Sequence, residues 1–197
     1  MPGMAPRLDA LCPSCECLDR HRLLVLADQE HHFVAGKKVL HFAPEYVLRQ
    51  YIHSCRASSY VTADLYGKNV DVTQNIENMT LEDNTYDVVI ACHVLEHVND
   101  QKALKELYRV LKPGGKALLM VPIIEGWDNT YEDSRIVTPE EREEHFGQWD
   151  HIRFYGRDFR TRITNSGFSL QEYTAVEPMV SRYALVRGEK LFIATKK

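Results

Sequence analysis

The chain holds 197 residues, with 24 Lys and Arg against 28 Asp and Glu, a formal charge of −4. That balance argues against a general nucleic-acid footprint, although it leaves a local basic patch open, and no apolar run approaches the length of a membrane span. Five cysteines, an odd number, argue against a secreted disulfide framework, and no signal-peptide pattern opens the chain. The expectation is a cytoplasmic protein with reduced thiols, one domain with an N-terminal extension.

Met1–Leu11 reads as a loose arm. Cys12-x-x-Cys15 is half of a zinc knuckle, and Cys17 and His21 are candidates for the remaining ligands. The alternative is a proline-containing turn opening a helix over Leu18–Phe33, with apolar positions at Leu23, Leu24, Leu26, Ala27 and Phe33. Arg20-His21-Arg22 either holds an anionic group or is a solvated helix face. Val39–Ala43 is predicted as the first strand, Ser58–Leu65 as the second with Asp64 at its end, and Val70–Val72 as a short third. Tyr86–Ala91 is an almost unbroken apolar run rich in β-branched residues, the pattern of a strand buried on both faces. Asp100–Leu111 carries a helical apolar stripe at Ala103, Leu104, Leu107, Val110 and Leu111. Lys112-Pro113-Gly114-Gly115 is predicted to stop it, and Lys116–Val121 is a second buried strand.

Two buried strands joined by a helix make a right-handed βαβ unit, whose ligands sit at the strands' carboxyl ends. Cys92, His93, Glu96 and His97 are thereby placed at the mouth of the sheet. The polar stretch 123–156 follows, with Trp127 and Trp149 at its flanks. Within it Thr138-Pro139-Glu140-Glu141 reads as an N-cap, a proline at the first helical position and an acidic first turn, opening a helix over Pro139–His145. Arg157–Ser166 is the last predicted helix, and Phe168–Val176 with Lys190–Thr195 forms an antiparallel pair.

Asp87-Val88-Val89-Ile90, then Val94-Leu95-Glu96-His97-Val98, then Glu106-Leu107-Tyr108-Arg109-Val110-Leu111-Lys112-Pro113-Gly114-Gly115, resemble the class I S-adenosylmethionine (SAM)-dependent methyltransferases, type 11 branch, over Lys37–Lys197. The resemblance implies a Rossmann-like α/β fold: a mostly parallel seven-stranded sheet with an antiparallel last strand and helices on both faces. It also implies a Cys-containing arm and helix over 1–35, a methyltransferase domain over 36–197 and a substrate lid at about 123–156. SAM is the implied cofactor, and a small polar molecule the implied acceptor, methylated at a hydroxyl oxygen or another heteroatom.

Where the family has an Asp and a Gly-x-Gly loop, this chain has His41-Phe42-Ala43-Pro44-Glu45. These residues are expected to approach the cofactor, Glu45 standing in for the acidic group near the methionine ammonium or simply opening a helix. Asp64 is expected on the ribose hydroxyls or as a turn cap, with Leu65 beside it. Asp71 and Val72 are expected at the adenine, and Cys92 and His93 at the end of the central strand. Some type 11 relatives carry a similar CPxC and Arg-His-Arg before the sheet.

His93-x-x-Glu96-His97 matches the H-x-x-E-H pattern of inverted zinc peptidases, but its place after a buried strand argues against that reading. It also resembles a Glu-x-x-Glu-His of some quinone-biosynthesis O-methyltransferases that holds a divalent metal. His93, Glu96 and His97 are therefore metal candidates in the pocket, as Cys12 and Cys15 are in the arm. The alternative is that Glu96 and His97 anchor the following helix. His151, beside Asp150 and Arg153, is the preferred general base, with His93 second and sharing its cavity. Tyr131, Glu132 and Asp133 are candidates for orienting the substrate. Two other functions remain: a non-catalytic scaffold of the same fold, and a macromolecule methyltransferase docking through its cysteine-rich arm.

Overall fold

The computed structural model describes residues 10–197; of the predicted loose arm, all but Ala10 and Leu11 lies outside these residues. Seven strands form one sheet: β1 Lys38–Phe42, β2 Ser59–Asp64, β3 Val72–Thr73, β4 Tyr86–Cys92, β5 Leu111–Met120, β6 Phe168–Thr174 and β7 Lys190–Lys196. Their order is β3-β2-β1-β4-β5-β7-β6. The first five pair in parallel, and β7 runs antiparallel between β5 and β6. Six helices accompany them: α1 Asp19–His31, α2 Tyr46–Ser54, α3 Asp100–Val110, α4 Pro139–Phe146, α5 Phe159–Asn165 and α6 Met179–Tyr183. Among the described residues, no helix is long and apolar enough to cross a membrane.

The central strand shows why its sequence lacks alternation. Val88 and Ile90 pack on one face with Leu23, Leu24, Leu48 and Ile52 from α1 and α2. Val89 and Ala91 pack on the other with Leu104, Leu107, Phe159 and Ile163 from α3 and α5. Both faces are covered, so Val88–Cys92 run apolar without alternation. The stripe of α3 is buried as predicted: Ala103, Leu104, Leu107 and Val110 are each 0% exposed. Each such leucine contributes about 1.5–3 kcal/mol. Leu23, Leu24 and Ala27 bring α1 into the same core, so the helix of the N-terminal region packs as part of the sheet's second face.

Two local expectations change. The Lys112–Gly115 run is no turn between helix and strand, because β5 begins at Leu111. The pairing steps from Tyr86↔Leu111 to Val88↔Lys116, which makes the run a bulge inside β5. Gly114 takes φ +78°, and a Cβ on Gly115 would lie 2.8 Å from the Lys112 carbonyl. The third strand shrinks to Val72–Thr73, because residues 65–71 alone connect two parallel strands, with no helix in the crossing. Asp71 staples that link. Its carboxylate accepts from the Thr62 backbone N–H at 2.8 Å and the Thr62 hydroxyl at 2.7 Å.

Candidate active site

At the carboxyl end of β1 the chain turns through Ala43, whose φ of 46° is one that L-residues other than glycine seldom adopt. Its N–H donates to the Ala63 carbonyl at 2.9 Å. Alanine carries the smallest side chain with a Cβ, so the backbone stays approachable where the related family uses glycine. His41 and Phe42 are not open to the cleft. Phe42 packs in the core, and His41, 1% exposed, bonds the Tyr60 hydroxyl through Nδ1 at 2.9 Å. Burial pushes the His41 pKa down to about 3, so the ring is a neutral core group.

Glu45 occupies the N-cap position of α2 without capping it. Its carboxylate pairs instead with Arg20, and with His21 Nε2 at 2.6 Å. Burial alone would raise its pKa, but His21 and Arg20 outweigh burial and hold the carboxyl at about 2. His21 Nδ1 accepts from the Leu18 N–H at 3.1 Å and Nε2 faces the Glu45 carboxylate, while the cysteine cluster of the arm is Cys12, Cys15 and Cys17 without His21. Arg22 donates to the carbonyls of Tyr183 and Ala184, each at 2.7 Å. The Arg20-His21-Arg22 run is thus neither a solvated face nor an anion clamp; it ties α1 to the cofactor loop and to α6. Glu45 is correspondingly spoken for by this chain's own cations.

An open cleft of about 400 Å³ lies beside this loop, lined by Ala43, Pro44, Tyr46, Arg49, Asp64 and Lys68. Asp64 caps the turn, its Oδ1 accepting from the Tyr66 N–H at 2.9 Å, and its half-buried carboxylate lines the cleft. Leu65 stands 52% exposed beside it. Val72 packs against the core. Asp71, expected at the adenine, is committed to Thr62, whose hydrogen bonds hold its carboxyl below the usual range. A carboxylate open to the cleft, a backbone turn with only a methyl in the way and an exposed apolar side chain fit the ribose and purine of SAM.

The central strand leads to the second part of the site. Cys92 is buried, which pushes its thiol pKa well up. His93 follows with φ 55°, its N–H donating to the Met120 carbonyl at 2.8 Å. Its Nδ1 meets Glu96 Oε1 at 3.2 Å. Glu96 is 0% exposed, and its Oε2 finds no hydrogen-bond partner among the described residues, nor does His93 Nε2. The segment 123–156 returns across this turn. Ile152 N–H donates to the Glu96 carbonyl at 3.0 Å, Arg153 Nη1 to the Leu95 carbonyl at 2.9 Å, and the Tyr155 hydroxyl to that same carbonyl at 3.0 Å.

That stitching brings His151 against His97, with ring centroids 4.7 Å apart and the ring planes at 76° to each other. One donor atom each from Glu96, His97 and His151 lies within 4.8 Å of the others. His97 Nδ1 reaches the Asp150 carbonyl and its carboxylate, both at 3.3 Å. His151 Nδ1 reaches the Phe146 carbonyl at 3.2 Å. Burial depresses the His151 pKa. The predicted metal trio of His93, Glu96 and His97 is therefore rearranged: His151 joins Glu96 and His97, and His93 stands outside as Glu96's hydrogen-bond partner. The sequence places His151 in the cavity of His93, at the same end of the sheet, without pairing it to His97.

The substrate-orienting candidates are used elsewhere. Glu132 bridges Arg153 and Arg162, both at 2.8 Å. Asp133 pairs with Arg135 at 2.6 Å. The Tyr131 hydroxyl bonds His145 at 2.7 Å. In the arm, the sulfurs of Cys12, Cys15 and Cys17 lie within 4.8 Å of one another, and hydrogen bonds from the Cys15 and Ser14 backbone lower the Cys12 pKa to about 7.

Comparison with known proteins places this geometry. Residues 32–119 match the type 11 family profile described as a methyltransferase domain. The chain is 50% identical over 54 residues to the ubiquinone/menaquinone biosynthesis C-methyltransferase UbiE of Hydrogenovibrio crunogenus, covering 26% of this chain and 21% of that protein. A chain of the Haloferax volcanii complex containing the Trm112 methyltransferase activator superposes with a TM-score of 0.61 at 16% identity, over 90% of both chains. The SAM-dependent methyltransferase of Mesorhizobium loti does so with 0.56 at 15%, over 84% of this chain and 93% of that one. The chain spans only part of the curated relatives it matches, 24% and 21% of the length of the first two. Residues 32–119 thus match the type 11 methyltransferase-domain profile, within a chain that has the fold of class I methyltransferases.

Proposed function

We propose that the chain transfers a methyl group from SAM to a small polar acceptor, at a hydroxyl oxygen or another heteroatom. The observation that carries this reading is the His93–Glu96 pair at the end of β4. When bound, SAM supplies a methyl group activated by its sulfonium. The protein's part is then alignment, exclusion of water and removal of the acceptor's proton. His93 is suited to the last task. Its Nδ1–H donates to Glu96 Oε1, which leaves the unpartnered Nε2 to receive a proton. The buried Glu96 carboxylate then stabilises the imidazolium that forms, the logic of a carboxylate-oriented histidine. The strained φ of His93 is the kind of local cost that recurs at functional sites.

His151, the base preferred from sequence, is the weaker choice because its Nδ1 is held by Phe146 and its ring lies on His97. Asp150 takes a supporting place through its contacts with His97. The net charge of −4 favours a small acceptor over nucleic acid.

A second reading concerns the acceptor atom alone. UbiE relatives are C-methyltransferases by name, and deprotonating a phenol or enol makes both its oxygen and its adjacent carbon nucleophilic. Calorimetry with SAM and S-adenosylhomocysteine tests the reading first: saturable binding is expected, and no heat at millimolar ligand would leave the scaffold alternative standing. Labelled methyl from SAM, followed into a metabolite pool and located by NMR, then decides between oxygen and carbon.

A further inference from the structure

We propose that Glu96, His97 and His151 form a binding site for one divalent transition-metal ion, with zinc the expected occupant. Glu96 is fully buried, and its Oε2 has no hydrogen-bond partner among the described residues. An ionised carboxylate oxygen in that state is costly unless a cation meets it. Two imidazoles stand beside it, one from the turn after β4 and one from the lid, with donor atoms of all three residues within 4.8 Å.

The orientation of the two rings is the second, independent observation. A backbone carbonyl only accepts. The contacts from His97 Nδ1 to the Asp150 carbonyl and from His151 Nδ1 to the Phe146 carbonyl therefore place the proton on Nδ1 in both rings. Each neutral ring is left with its lone pair on Nε2, the tautomer an Nε2-ligating histidine requires, fixed by the carbonyl contacts that ligating histidines commonly make. Bonds of 2.0–2.1 Å in a tetrahedral site put donor atoms roughly 3.3 Å apart. Small side-chain rotations therefore close the observed cluster around an ion.

Two imidazoles and one carboxylate favour zinc or a neighbouring first-row ion over magnesium or calcium. Three protein ligands leave a coordination position open, as in catalytic rather than structural zinc sites. His93 stands outside the ligand set but shares Glu96, which can bond the base through Oε1 and the ion through Oε2. An acceptor hydroxyl on the ion would be acidified next to the base. This last role, unlike the site itself, rests on the methyltransferase reading.

Cobalt(II), whose visible absorption reports its ligands, serves as the probe. In the full-length chain carrying Cys12→Ser, Cys15→Ser and Cys17→Ser, chelated and then titrated, the expected result is one cobalt ion per chain, displaced by zinc. Glu96→Gln or His151→Gln should weaken it by about tenfold or more, whereas His93→Gln should keep it. The same substitutions in the cysteine-containing chain give a second readout: the thiolate charge-transfer band of the arm persists while the visible nitrogen and oxygen bands vanish. Absence of those bands, or bands indifferent to Glu96 and His151, overturns the site. SAM calorimetry on the chelated protein is read separately, so a chain that binds SAM but no cobalt ends this inference and leaves the methyltransferase reading intact.

Discussion

His21 and Glu45 meet across 2.6 Å, joining the first helix to the turn after β1. Nε2 is the nitrogen that faces the carboxylate, because Nδ1 accepts from the Leu18 N–H. Arg20 completes the cluster. The folded-state pKa of Glu45, about 2, lies below the ordinary value of 4.5. The ion pair therefore contributes stability that is present above pH 4.5 and is lost as pH falls towards 2. After allowance for solvent screening this amounts to about 2 kcal/mol. Glu45→Gln should cost about that much in urea unfolding at pH 7, and the gap to wild type should narrow steadily below pH 4.5. A gap that stays constant down to pH 2 would show that Glu45 acts through packing rather than charge.

Ala43 predicts an unusual response to glycine. An alanine-to-glycine change ordinarily destabilises a helix or strand by roughly 0.5–1 kcal/mol. Here the alanine already bears about 1–2 kcal/mol of left-handed strain at φ 46°. Relief of that strain offsets the entropy gained by the unfolded chain. Ala43→Gly is expected to leave the unfolding midpoint unchanged or raise it. A loss above about 1 kcal/mol would mean that the turn relies on the methyl group for contacts.

Asp64 separates cofactor binding from turn formation. Asp64→Ala should weaken SAM by about 1–3 kcal/mol, the cost of leaving ribose hydroxyls without a charged acceptor. Asp64→Asn keeps an oxygen for the Tyr66 N–H and should fold normally while still losing most of that affinity. Calorimetry of the two variants side by side makes the check; equal SAM affinity in all three proteins would place the ribose elsewhere.

Replacing His93 by Ala should lower the maximal rate by about two to four decades with SAM affinity nearly unchanged, since a base acts chiefly in the transition state. Rate constants at saturating SAM, set beside dissociation constants, separate the two effects. A variant that loses SAM binding and rate in parallel would make His93 a cofactor contact instead.

Much of the framework was legible in one dimension. The unbroken apolar run of β4 records burial on both faces, and the spacing of Ala103, Leu104, Leu107 and Val110 records the single buried face of α3. The Thr138 cap and Pro139 mark the start of α4 because those signals act within one turn of chain. Asp64 ends its strand as predicted, and the family motif spans adjacent residues. Each of these features depends on neighbours a few positions away, and local patterns carry that information.

The partners of the charged and titratable groups were decided only by the tertiary structure. From sequence Glu45 is either an acidic group for the cofactor or a helix-opening residue; the fold pairs it with Arg20 and His21 of α1. Asp71 looked free until the short crossing turned it onto Thr62. His151 is expected from sequence beside Asp150 and in the cavity of His93; the fold lays it on His97, near Glu96. Hydrogen bonds and ion pairs act over about 3–4 Å in space, irrespective of separation along the chain. Residues 97 and 151 become neighbours only once the sheet, the turn after β4 and the returning lid have all formed.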